Sequence, residues 1–271
     1  MRLSPSAYSR VTLVALLALC AIVVTGASVR LTGSGLGCSD WPTCEEGRLA
    51  PADITDAPAM VEFTNRTITG LVSVAVIVAV LGALWRVPYR RDLTWLAWGL
   101  VAGVVAQIVL GGLVVLLELS PKVVMGHFVL SMVLVWNAVV LHVRSRSEGA
   151  RPSVPWLARF TMAWAAVVVV TGTIVTASGP HAGDEAVERL GFHIEDVARV
   201  HGASVVVFVL IALALWRTVR SRPSQWLLAA IVVQAAIGYT QYFTGVPALL
   251  VGFHVVGALA VWVASVRVAL P

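Results

Sequence analysis

The sequence predicts an all-α integral membrane protein, with eight transmembrane helices forming two pseudo-symmetric four-helix bundles, and three observations carry that prediction. The 271 residues are 59% hydrophobic and 12% charged, against roughly 25% charged in soluble domains. Apolar runs long enough to cross a hydrocarbon core of about 30 Å recur from one end of the chain to the other. The second half also repeats short motifs of the first half in the same order, which marks a duplicated unit.

The spans fall at Val11 to Val29, Glu62 to Trp85, Leu93 to Leu117, Val123 to Val143, Phe160 to Ala177, Ala198 to Trp216, Trp226 to Phe243 and Ala248 to Val266. Residues 1–150 then make a first bundle, with a long outer loop at 30–61, and residues 151–271 a second. The first span follows Arg2 and Arg10 as a signal peptide would, but it runs about 19 residues without a clean Ala-x-Ala site after it, so it reads as a retained span. The net charge of +5 is explained by orientation. With both termini cytoplasmic, Arg2, Arg10, Arg86, Arg90, Arg91, Arg144, Arg146, Arg151, Arg159, Arg217, Arg220, Arg222 and Arg267 share one side with Asp92 and Glu148. Nearly all other acids, including Asp40, Glu45, Glu46, Asp53, Asp56, Asp184, Glu185, Glu188, Glu195 and Asp196, lie opposite, as the positive-inside rule requires. Nothing in this pattern calls for nucleic acid.

The outer loop opens with Arg30-Leu-Thr-Gly-Ser-Gly-Leu-Gly-Cys38. It is glycine-rich, but no strand precedes it and no Gly-Lys-Ser follows, so it is not a phosphate loop. Cys38 and Cys44 flank Ser-Asp-Trp-Pro-Thr on the oxidising side and read as a short-loop disulfide. A metal-binding pair is the alternative, and no histidine lies in that loop to complete it. Cys20 is inside the first span. Loops of this length are functional or disordered, and the cysteines with Trp41-Pro42 point to an ordered one.

The repeat is visible in several places. Val24-Thr25-Gly26 is echoed by Val170-Thr171-Gly172, Gln107 to Gly111 by Gln234 to Gly238, and Val124-Met-Gly-His127 by Val251-Gly-Phe-His254. Four spans per half preserve orientation, so the halves are related by an axis along the membrane normal.

His127, His201 and His254 fall near the outer ends of even-numbered spans, and at about 1.5 Å per residue they share one layer. The repeat aligns Asn65 with His201, so one bundle offers Asn65 and His127 where the other offers His201 and His254. A lone intramembrane histidine is often a hydrogen-bonded structural group. Three at one depth, in register with a duplication, suit the axial positions of a heme iron instead. His142 reads as an interfacial residue and His193 as a solvated one, whereas His181, in Ser-Gly-Pro-His-Ala-Gly-Asp, is placed to fold over a bundle mouth.

Glu62 is different in kind. Asn65 and Arg66 follow it by three and four residues, so an i,i+4 ion pair with Arg66 is its plain structural role. Its functional role would be a carboxylate at a cofactor edge, moving protons or steadying a developing cation. Arg30, Arg66 and Arg199 lie at outer helix ends, where they would either pair with heme propionates or snorkel to the interface.

Taken together, the sequence resembles the heme A synthase family. The resemblance rests on Gly33-Ser-Gly-Leu-Gly-Cys38-Ser-Asp-Trp41-Pro-Thr-Cys44, Glu62-Phe-Thr-Asn65-Arg66, Gly126-His127, Thr176-Ala-Ser-Gly-Pro-His181-Ala-Gly-Asp184, Val200-His201-Gly and Gly252-Phe-His254. Each is weak alone, and their order and spacing make the set specific. The resemblance implies conversion of heme O to heme A in a bacterial plasma membrane, a porphyrin methyl group becoming a formyl group through successive hydroxylations. It implies heme O as substrate in the first half with Glu62 as the essential acid, and heme b ligated by His201 and His254 in the second. It also implies a Cys38–Cys44 disulfide, a heme O synthase upstream, cytochrome oxidase and its assembly factors downstream, and an electron-transfer partner the sequence does not identify. Many family members carry histidine where this chain has Asn65. A carboxamide is a poor axial ligand beside imidazole, so His127 is the expected single strong ligand in the first half.

Two other classes compete. A heme b electron-transfer cytochrome would need the same histidines but no acid at Glu62. A transporter would place its polar groups near the midplane, whereas these cluster toward the outer face.

Overall fold

The structure, a computed structural model, describes residues 2–45, 47–147 and 153–271. The expected boundary at 150/151 lies outside the described residues, as do Glu46, Glu148 and Arg151, which entered the charge pattern. Eight helices run in the order α1 (Pro5–Leu31), α2 (Ala57–Trp85), α3 (Arg91–Leu116), α4 (Pro121–Arg146), α5 (Trp156–Ser178), α6 (Ile194–Val219), α7 (Arg222–Phe243) and α8 (Ala248–Val268). All eight are long and apolar enough to cross a membrane. The extended pairings among the described residues are two isolated bridges, Leu3 with Arg86 and Glu45 with Arg48.

Most of the helices run past the apolar windows, and at α1, α2 and α7 a capping side chain sets the start. Ser4 accepts the Ala7 N–H and precedes Pro5 at the start of α1. Asp56 accepts the Ala59 N–H at the start of α2, and Ser221 accepts the Ser224 N–H at the start of α7. Each satisfies one of the donors that a helix start leaves free. One expectation is corrected here. Glu62 and Ala198 do not open their helices, since α2 starts at Ala57 and α6 at Ile194.

Helix α1 packs on α2 and α4, and α3 packs on the same two, so the first four helices close a ring. The last four do likewise, with α5 and α7 each against α6 and α8. The rings meet where α1 and α4 touch α8 and where α4 touches α5. There Trp262 of α8 donates its indole N–H to the Met132 carbonyl of α4 at 2.8 Å. Leu100, Val135 and Leu141 are fully buried in the first ring and Phe208 in the second. Glycine permits the closest approach, and a methyl at Gly103 would collide with Leu134. Small residues let helices pack closely where lipid removes the hydrophobic drive between them. The outward faces carry Trp95, Val105, Leu210, Val232 and Phe243. Helices apolar all round need hydrocarbon rather than water outside them.

The basic end is tied together by backbone. Leu3 donates to Trp85 at 2.8 Å and accepts from Val87 at 3.0 Å. Arg90 binds Asp92 through both carboxylate oxygens and the carbonyls of Arg144 and Ser147 at 3.0 and 2.7 Å. The opposite end carries the long loop and the polar layer described next.

Candidate functional site

Asn65, His127, His201 and His254 lie six to eight residues from the starts of α2, α4, α6 and α8, about 9–12 Å along each axis. These four helices begin at the loop-rich end. Neither α2 and α4 nor α6 and α8 touch, so each pair stands diagonally across its ring.

In the second ring the Thr171 hydroxyl is 3.0 Å from His201 Nδ1 and 3.0 Å from the Ser204 hydroxyl. Ser204 in turn donates to the His201 carbonyl at 2.7 Å. The imidazole lies on Gly172, where a Cβ would sit 3.2 Å from its Cε1. His254 is held in the same way from α7. Gln234 donates to its carbonyl at 2.9 Å, and the ring lies on Gly238, where a Cβ would be 3.0 Å from Cε1. His254 Nδ1 is buried and has no partner among the described residues. One turn toward the loops, Ala198 and Val251 line a cleft that also takes in Thr176, His181 and Gln241.

The first ring has half of this arrangement. Gln107 donates to the His127 carbonyl at 3.1 Å and to Ser131 at 2.5 Å. A Cβ at Gly111 would meet His127 Cε1 at 3.5 Å, and His127 Nδ1 is likewise buried without a partner. Across the ring, Asn65 accepts the Thr25 hydroxyl at 2.8 Å, as His201 pairs with Thr171. Its short amide leaves Gly26 bare, with nothing within 4 Å of a Cβ there. Room for an imidazole is therefore present at Gly26. Asn65→His is expected to lay its ring over Gly26 against Thr25 and give the first ring a second strong donor. Electron paramagnetic resonance of the heme-loaded variant should then show a second low-spin bis-imidazole signal that the wild type lacks. A spectrum unchanged from the wild type would contradict this placement.

Glu62, 5% exposed, is locked to the loop above it. One carboxylate oxygen accepts the Cys38 N–H at 2.8 Å. The other accepts Arg66 Nε and Nη2 at 3.1 and 2.5 Å. Arg66 Nη1 donates onward to the carbonyls of Asp40 and Thr43 at 3.1 and 2.8 Å. A Cys38–Cys44 disulfide with a Cα separation of 4.4 Å closes the loop, and Trp41 lies on α3, where a Cβ at Gly112 would be 2.6 Å from the indole. Three donors thus stabilise a buried carboxylate that would otherwise be costly.

Asp40 sets the shape of this loop, accepting the Trp41 N–H at 2.7 Å and the Thr43 hydroxyl at 2.8 Å. The Thr43 hydroxyl, the Trp41 amide and then the Arg66 guanidinium hold its carboxyl below the usual range. A depressed folded-state pKa contributes stability that is present above the unfolded value near 4 and lost as pH falls through the folded value. Disulfide reduction by a phosphine is therefore expected to stay slow from pH 7 to about 5 and to quicken below about 4. Asp40→Asn should react at the faster rate at every pH, and a flat profile in the wild type would sink the assignment.

The family model for COX15-CtaA, a cytochrome oxidase assembly protein family, matches residues 9–183 of the 271. The chain belongs to this family. Relatives named heme A synthase include one from Lysinibacillus sphaericus, 32% identical over 113 residues, covering 41% of this chain and 36% of the relative. Longer matches reach the proteins of Alkalihalophilus pseudofirmus, 25% identical over 83% of this chain and 81% of the relative, and Geobacillus kaustophilus, 27% identical over 81% and 76%. The first of these matches thus spans little more than a third of that relative's length. The COX15-CtaA match contains the disulfide loop, Glu62, Asn65, Arg66 and His127, and stops before His201 and His254.

The second ring of this COX15-CtaA member fits an iron porphyrin. Two imidazoles stand on diagonal helices, the Thr171 hydroxyl meets Nδ1 of His201, and a glycine lies beneath each ring. The other residues named from the sequence lie outside this imidazole pair. Arg66 is engaged by Glu62 and two loop carbonyls. Arg199 is 72% exposed and pairs with Asp196 and Glu195. His181 Nε2 is 2.8 Å from the Val246 carbonyl at the cleft mouth. His142 bonds Thr12 at 3.0 Å at the basic end, and His193 is an exposed N-cap of α6. The glycine floors and the threonine partners were visible in the repeated Val-Thr-Gly and Gln-to-Gly motifs. The Cys38 amide on Glu62 had no sequence signal, because it depends on how the loop folds back.

Proposed function

We propose that this chain is a heme A synthase that oxidises one methyl group of heme O to the formyl group of heme A within a bacterial plasma membrane, both termini facing the cytoplasm. The observation that carries this reading is the buried Glu62 carboxylate in the first ring, for which the second ring has no equivalent acid, Val197 and Ala198 standing in the corresponding region. A resident heme b, when bound, would supply one-electron chemistry. His201 and His254 would be its ligands, with Thr171 orienting His201, as partners of the non-ligating nitrogen do at metal sites.

In the first ring His127 would be the single strong donor to heme O, leaving the opposite face, beside Asn65 and Gly26, free for exchange. Glu62 would take up or release a proton at the carboxylate oxygen shared with Arg66. Arg66 would keep that oxygen ionised at rest and so favour positive charge developing beside it. The disulfide loop would exclude water from this side. Partners on this reading are the lipid bilayer, a heme O source, an electron-transfer partner and the cytochrome oxidase assembly machinery.

The test is expression in a host that makes heme O but no heme A, followed by extraction and chromatography of the copurifying hemes. Heme A beside heme b is the expected result. Heme b alone, with heme O available, would favour an electron-carrying cytochrome instead.

A further inference from the structure

Two arginines, Arg30 and Arg189, stand near Pro180 at the loop end of the second ring. Arg30, in the last turn of α1, lines the cleft above α5–α8 together with His181 and Pro180. Arg189, in the loop before α6, donates through Nη2 to the Pro180 carbonyl at 2.9 Å, and its Nη1 is buried without an acceptor among the described residues. Arg189 bonds the Pro180 carbonyl, and Pro180 and Arg30 line the same cleft. Neither side chain pairs with a described acid, and no Asp or Glu lines the cleft. A buried N–H without a partner, on one of two like charges, costs free energy that a bound anion would offset.

The cleft also lies at the right depth for an anion attached to a ligand between the histidines. Ala198 and Val251 in its wall stand three residues before His201 and His254, about 4.5 Å nearer the loops. Resting on the reading that the second ring holds heme, we propose that Arg30 and Arg189 form a dicationic clamp for a carboxylate of that porphyrin. A lipid phosphate offers the same chemistry, but the burial of Arg189 Nη1 inside the loop end favours a group reaching up from the bundle. Arg30 comes from the first ring, so the clamp joins both halves over one ligand.

The full-length chain, freed of heme in a neutral detergent and carrying His127→Ala to confine binding to the second ring, would be titrated with protoheme and with its dimethyl ester. Protoheme is expected to bind roughly tenfold to a hundredfold more tightly than the ester, the range of charge-assisted hydrogen bonds. In Arg30→Gln/Arg189→Gln the preference should vanish while ester affinity and the bis-imidazole spectrum persist, and Arg30→Lys/Arg189→Lys should retain part of it. Equal binding of acid and ester to the parent chain, or a preference surviving the Gln pair, would overturn the clamp. A preference that the parent chain loses once anionic lipid is added would assign the pair to lipid phosphate and overturn the carboxylate. Failure of the underlying reading looks different, because neither porphyrin would then give a bis-imidazole spectrum even with both arginines present.

Discussion

Glu62→Gln is expected to lower heme A formation at least about a hundredfold, the lower range for a positioned acid–base group, while the purified protein keeps its heme b. Gln preserves the side-chain length and an oxygen able to accept the Cys38 N–H, so the disulfide loop should stay docked. What it removes is the charge. Arg66 would then face a neutral amide in a half-buried setting, and the oxygen that would accept a proton would be gone. Chromatography of extracted hemes should show heme O or a hydroxylated intermediate accumulating in place of heme A. Undiminished heme A would remove Glu62 from the chemistry and leave it as a structural partner of Arg66.

His201→Ala is expected to strip heme b from the purified chain to below about a tenth of the wild-type content, since losing one of two strong axial donors weakens ligation far more than it weakens packing. The substitution also vacates the space over Gly172 and frees Thr171 and Ser204, which hydrogen-bond to each other at 3.0 Å. That hole is the size of an imidazole and has a hydroxyl at its edge, so free imidazole should restore the heme and its low-spin spectrum. Rescue separates a lost ligand from a misfolded bundle. Full heme b content in His201→Ala without imidazole would show that the iron is held elsewhere.

Much of this architecture is legible in the sequence because membrane helices write long apolar runs, and the duplication writes the same short motifs twice. The Gln107 and Gln234 contacts to histidine carbonyls, and the glycines under His127 and His254, are those repeated motifs seen in three dimensions. The departure at Asn65 was equally readable, and the bare Gly26 is its physical consequence. The starts of α1, α2 and α7 were not readable from hydropathy, because Ser4, Asp56 and Ser221 begin them by capping in polar sequence. Nor was the fate of the arginines. Arg66 turns to loop carbonyls, Arg199 turns outward, and Arg30 reaches across to the other ring, all decided by loops whose course no periodicity encodes.

The central claim is that the two rings hold heme in unlike ways, one with two imidazoles for a resident cofactor and one with His127 alone beside Glu62. Electron paramagnetic resonance of heme-loaded His127→Ala and His254→Ala, recorded side by side, tests it most directly. The bis-imidazole low-spin signal is expected to persist in His127→Ala and to disappear in His254→Ala. A bis-imidazole signal that survives His254→Ala and is lost in His127→Ala would contradict it.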